Sequence, residues 1–92
     1  MRLTKDVPER VARKAMDVVQ ERLRRYDELV GVGVVPKQPR SREMVVAVYV
    51  SKPEETLSAA FRRSVPACVD VVEHGRRSHV GTKIVNVGHL AP

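Results

Sequence analysis

Aromatic side chains are scarce in this chain: Tyr26, Tyr49 and Phe61 are the whole complement, and tryptophan is absent. A surface that stacks single-stranded bases presents several aromatics on one sheet face. Only Tyr49 falls in a segment that reads as a strand, which argues against that mode of binding. Cysteine is also scarce. The single Cys68 excludes an intramolecular disulfide. No stretch approaches the roughly 18 apolar residues that a membrane span needs. Met1-Arg2-Leu3-Thr4-Lys5-Asp6 lacks the apolar segment of a secretory signal. These absences predict a cytoplasmic protein with no membrane partner. The 92 residues predict one domain, 1–92, with a modest core and with 1–6 and 88–92 frayed.

Negative charge is the scarcer sign, with 11 Asp and Glu against 17 Lys and Arg, for a net charge of +6. That balance favours anionic partners. Residues 1–28 are nearly balanced, with eight basic and six acidic side chains. The surplus after residue 28 concentrates in two stretches read as loops, Lys37/Arg40/Arg42 and Arg76/Arg77 with nearby Lys83. These six are the candidate anion- or partner-binding residues.

What the chain does have is valine, in two neighbouring runs. Leu29 to Val35 and Met44 to Val50 read as the strands of a hairpin, joined by the polar loop Pro36 to Arg42. In the first strand Val30, Val32 and Val34 face one way and Gly31 and Gly33 the other. Glycine weakens a strand, so two in alternation mark a close approach. A packed helix is the favoured candidate and a bound backbone the other. Gly31-Val32-Gly33 lacks the third glycine of a dinucleotide fingerprint and opens no helix. The second strand is apolar on both faces, which suits a central position.

Before the hairpin, Ala12, Met16, Val19, Leu23 and Tyr26 recur at helical spacing and predict an amphipathic helix to about Asp27. Val11, Ala15 and Val18 widen its apolar stripe. Thr4 or Asp6 is the expected cap, with Pro8 in the first turn. Arg10, Arg13, Lys14, Arg22, Arg24 and Arg25 interleave with acids, with Glu9/Arg13 and Glu21/Arg25 at i,i+4. They read as a solvated face rather than an anion-binding helix. After the hairpin, Ser51 is the expected cap of a second helix that begins at Pro53-Glu54-Glu55 and buries Leu57, Ala60 and Phe61. Val69 to His74 reads as a third strand, parallel to the second through a β-α-β crossover. Gly75 to Ser78 is a turn, and Val80 to Val87 is a fourth strand. The expected class is α+β, in the order α-β-β-α-β-(β), with helices on one face of a mixed sheet.

Catalytic chemistry finds little footing. His74, His79, His89 and Cys68 match no standard zinc spacing, so neither metal nor cofactor is expected. Cys68 and His74 on one strand would lie about 20 Å apart, too far for thiol and base, and Cys68 reads as a small core residue. The serines sit in no nucleophile elbow. The chain is expected not to be an enzyme.

Leu29-Val30-Gly31-Val32-Gly33-Val34, Val45-Val46-Ala47-Val48-Tyr49-Val50-Ser51-Lys52, Leu57, Val65-Pro66 and Val69-Asp70-Val71-Val72-Glu73-His74-Gly75 follow one another in order. This pattern resembles the small N-terminal module that precedes the protease domain in bacterial trypsin-like peptidases of the plant NAL-like group. The resemblance covers about half the chain and includes no triad residue. It implies an accessory domain that regulates, binds or assembles. The expected function is therefore a non-catalytic interaction module that binds a protein partner, or itself, through its sheet. The other expectation is a nucleic-acid-binding domain that uses basic stretches 37–42 and 76–83.

Overall fold

A computed structural model describes residues 6–88. Its elements run α1 (Glu9–Leu23), β1 (Leu29–Pro36), β2 (Met44–Val50), a 3₁₀ turn (Glu54–Thr56), α2 (Ala59–Ser64), β3 (Cys68–Glu73) and β4 (Arg76–Asn86). The four strands form one mixed sheet in the order β1-β2-β4-β3, and the helices cover one face. The α+β class is as the sequence predicts. The Thr4 cap, His89 and nearly all of the two frayed ends lie outside the described residues.

β1 and β2 pair antiparallel, with Val32 opposite Val48 and Val34 opposite Val46. A register irregularity between Leu29 and Gly31 leaves Val30 exposed. On the helix side, Val46, Val48 and Val50 meet Val11, Ala12, Ala15, Val19 and Leu23 of α1, together with Leu57, Phe61, Val69, Val71 and Val80. Fully burying a valine, leucine or phenylalanine side chain is worth about 1.5–3 kcal/mol, so this cluster is the main source of stability.

Several local expectations shift. Pro8 occupies the cap position of α1 without a side-chain hydrogen bond, so Asp6 is not the cap. The segment ahead of α1 is held by backbone instead. Val7 donates to the Arg42 carbonyl and accepts from the Met44 amide, each at 3.1 Å. α1 ends at Leu23, and Val18 lies outside the buried stripe. Glu9 and Arg13 pair as expected at 2.6 Å, whereas Glu21 reaches Arg24 one residue short of Arg25. The second helix starts late, because Leu57 is extended and Ser58, not Ser51, is the cap. The Ser58 hydroxyl accepts from the Phe61 amide at 3.1 Å. Leu57 and Phe61 are buried, while Ala60 is exposed.

The largest correction concerns the crossover. β2 and β3 are neither neighbours nor parallel: β4 lies between them, parallel to β2 and antiparallel to β3. The reason is a two-residue turn at His74-Gly75, with φ of 53° and 74°, which pairs Glu73 directly with Arg76. Positive φ at both positions matches the natural twist of a hairpin, so the chain reverses at once. The expected turn at 75–78 is therefore strand from Arg76 onward. β4 then has 11 residues, long enough to bond β3 along its first half and β2 along its second. Thr82 joins the halves, its hydroxyl donating to the Pro66 and Ala67 carbonyls.

Candidate interaction surface

Because side chains alternate along a strand, the sheet has a second face. It carries Gly31, Gly33 and Val35 from β1, Val45, Ala47 and Tyr49 from β2, and Gly81, Lys83 and Val85 from β4. Among the described residues, no helix covers it. Val45 and Ala47 are nevertheless buried. Gly33 lies opposite Ala47, and the Tyr49 ring leans across that pair: a Cβ at Gly33 would stand 3.1 Å from Tyr49 Cε2. The close approach at Gly33 is thus made by an aromatic side chain of the partner strand. It is not made by a helix, because the helices occupy the valine side. Beside Gly31 the space is open.

β1 is an edge of the sheet. The Lys37 amide donates to the Glu43 carbonyl at 2.8 Å, just past the Pro36–Met44 pair. Bonded and non-bonded pairs alternate in an antiparallel ladder. The bonded set is then Val35/Val45, Gly33/Ala47 and Gly31/Tyr49, which turns the N–H and C=O of Val32 and Val34 outward. The segment Leu29–Pro36 carries no charge. Charges, proline and bulges are the usual protections of a sheet edge, and here they lie only at its ends, in the irregularity near Val30 and in Pro36. The other edge, β3, carries Asp70 and Glu73.

The basic candidates divide by position. Lys37, Arg40 and Arg42 lie on the β1–β2 connection, with Arg40 at φ 66°. Arg76 and Arg77 open β4 rather than occupying a loop. Since β4 runs parallel to β2 with Thr82 beside Val46, its start projects from the same end of the sheet as that connection. The two basic stretches, far apart in sequence, therefore share one end of the molecule. Lys83 does not join them; it sits beside Ala47 on the open face. Lys37 reaches Glu43 at 3.8 Å. Among the described residues, Arg40, Arg42, Arg76 and Arg77 form no ion pair.

At this same end Glu73 gathers Arg10 at 2.8 Å and Lys14 at 2.5 Å. Hydrogen bonds from Arg10 and then Lys14 pull the Glu73 carboxyl down to about 2. The sequence reading of α1 as a solvated face holds for Arg13 and Arg24, but Arg10 and Lys14 reach across to strand β3. Separation by 63 and 59 positions hides that link from any local pattern. At the opposite end, Tyr26 hydrogen-bonds Ser64 at 2.9 Å and meets Phe61 edge-on with centroids 5.4 Å apart. The Glu28 carboxylate accepts from the Ser58 amide at 2.9 Å, which holds it below its usual range.

Cys68 is exposed, not a core residue. His74 sits in the hairpin turn, at the far end of β3 from Cys68. His79 lies instead on β4, hydrogen-bonded through Nδ1 to Asp70. No described helix is long and apolar enough to cross a membrane. Comparison with family models, with curated proteins and with solved structures finds no match.

Proposed function

We propose that this domain is a non-catalytic protein-binding module that accepts an extended segment of a partner as an added strand beside β1. The observation that supports this is the uncharged β1 edge, with the Val32 and Val34 backbone turned outward. Main-chain hydrogen bonds give affinity in such pairing, and alternate side chains give selectivity. The uncovered face of Gly31, Val35 and Tyr49 continues from this edge and would take the partner's inward residues. Charge selects the occupant. A net charge of +6 opposes a second copy, whereas Lys37, Arg40 and Arg42 directly after β1 attract acids. The occupant is an extended segment of alternating β-branched residues with Asp or Glu at one end.

Selection from a random-peptide display library with the full chain tests this. Enriched peptides should show that pattern, and Val32→Pro should abolish their binding. Proline is tolerated at an edge position whose N–H faces outward, so the fold survives while the ladder is interrupted. Enriched peptides that bind Val32→Pro unchanged would overturn the reading. Light scattering across dilution reports the self-association alternative.

A second reading draws on the shared basic end. Arg40, Arg42, Arg76 and Arg77 could neutralise phosphates of a nucleic acid without reading sequence. Duplex and single-stranded oligonucleotides at low and moderate salt test it, and no binding at low salt removes it.

A further inference from the structure

We propose that Cys68, Asp70 and His79 form a site for a soft divalent metal ion of the zinc class, on the open face of the sheet. The proposal is independent of the peptide-binding reading. Cys68 and Asp70 are two apart on β3, so both side chains leave the same face. The antiparallel β3–β4 register then sets His79 directly across from Asp70 and diagonal to Cys68. One ligand atom from each residue lies within 4.8 Å of the other two. Bond lengths of about 2.0–2.3 Å to a tetrahedral zinc separate its ligands by roughly 3.3–3.8 Å. All three side chains are exposed, so small rotations about their χ angles close that gap without moving the backbone.

The donor set determines the ion. One thiolate, one imidazole and one carboxylate suit zinc, cobalt or a similar ion, and not magnesium or calcium, which prefer oxygen alone. The thiolate and carboxylate together balance a 2+ charge. The hydrogen bond between His79 Nδ1 and Asp70 already holds two of the ligands side by side. Residue 81, the cross-strand partner of Cys68, is glycine, and even a Cβ built there would meet only Val45 Cγ1, at 3.7 Å. No side chain at 81 fills the space beside the sulfur, so a fourth position stays open to water or to an outside ligand. The spacing Cys68–Asp70–His79 matches no zinc motif because the sheet, not the chain, brings the third ligand into place.

Cobalt(II) titration of the reduced, untagged chain tests the site, followed by displacement with zinc. The expected result is one equivalent bound, with a thiolate-to-cobalt charge-transfer band. Cys68→Ser should remove that band. Asp70→Asn and His79→Ala should each weaken zinc binding by more than about tenfold, with far-ultraviolet circular dichroism unchanged because all three residues are exposed. Absence of the band at stoichiometric cobalt would overturn the proposal. So would zinc binding that persists undiminished in Cys68→Ser and His79→Ala, since the ion would then sit elsewhere.

Discussion

The ring of Tyr49 lies across Gly33 on the neighbouring strand, 3.1 Å from where a Cβ would stand. An aromatic over a cross-strand glycine replaces the side chain the glycine lacks and shields the backbone there. The two glycines of β1 therefore have different tasks. Gly33 leaves room for the ring, whereas Gly31 has open space and no positive φ.

Substitution should separate them. Gly31→Ala is expected to stabilise the domain by about 0.4–1 kcal/mol, because alanine narrows the unfolded ensemble and meets no obstacle. Gly33→Val should destabilise by about 1–3 kcal/mol, as the branched side chain displaces Tyr49. Urea unfolding of both variants checks this, and equal effects would show that the ring contact is unimportant.

Glu73 predicts an acid limb of the stability curve. Its carboxyl titrates at about 2 in the fold and in the ordinary carboxylate range when unfolded. The folded state therefore favours the ionised form. That contribution is fully present above the unfolded value, near pH 5, and is lost as pH falls toward 2. The Ser58 amide depresses Glu28 in the same direction. Glu73→Gln should be less stable at neutral pH and should lose part of the pH dependence between about 5 and 2. Thermal melts across that range measure it, and parallel curves for the two proteins would contradict the Arg10–Glu73–Lys14 link.

Val48→Asp should leave the domain unfolded. Val48 is fully buried in the core of the central strand β2, opposite Val32 and beside Ile84. A carboxylate there has no partner and a large desolvation cost. Circular dichroism and proteolysis report the outcome; a folded variant would mean that the helix-side core tolerates charge.

Changing Lys37, Arg40 and Arg42 together to alanine should move the melting temperature by only a few degrees, because exposed charges contribute little. The ion pair that Lys37 makes with Glu43, at 3.8 Å, is long. The same variant should weaken any acidic peptide or oligonucleotide that uses this end, and more so at low salt. A large loss of stability would show that the loop holds the hairpin instead.

Burial patterns explain what could be read in advance. The hairpin of Leu29–Pro36 and Met44–Val50 was legible because β-branched residues recur without interruption and polar residues separate the runs. The face of α1 was legible from its spacing, except for Val18, where hydrophobicity does not coincide with a neighbour to pack against. Ser51 reads as a cap on local pattern because Pro53, Glu54 and Glu55 follow it, yet the cap in the fold is Ser58. Leu57 marks the difference: it is buried in the core with an extended backbone, which ends the 3₁₀ turn before α2 begins. The six basic residues are visible one by one, but the convergence of Arg76 and Arg77 with Lys37, Arg40 and Arg42 is not, because local pattern sets β3 beside β2 whereas β4 lies there in the fold.

From the order of side chains alone come the α+β class, the paired valine strands, the amphipathic first helix and the excess of positive charge. These follow from short-range periodicity, which depends only on near neighbours in the chain. Tertiary structure alone decided that β4 inserts between β2 and β3, that Tyr49 covers Gly33, that Glu73 holds Arg10 and Lys14, and that His79 stands beside Asp70 and Cys68. Each of these depends on which strand lies next to which, and strand order is set by the whole core closing around α1 and α2, not by any local run of residues.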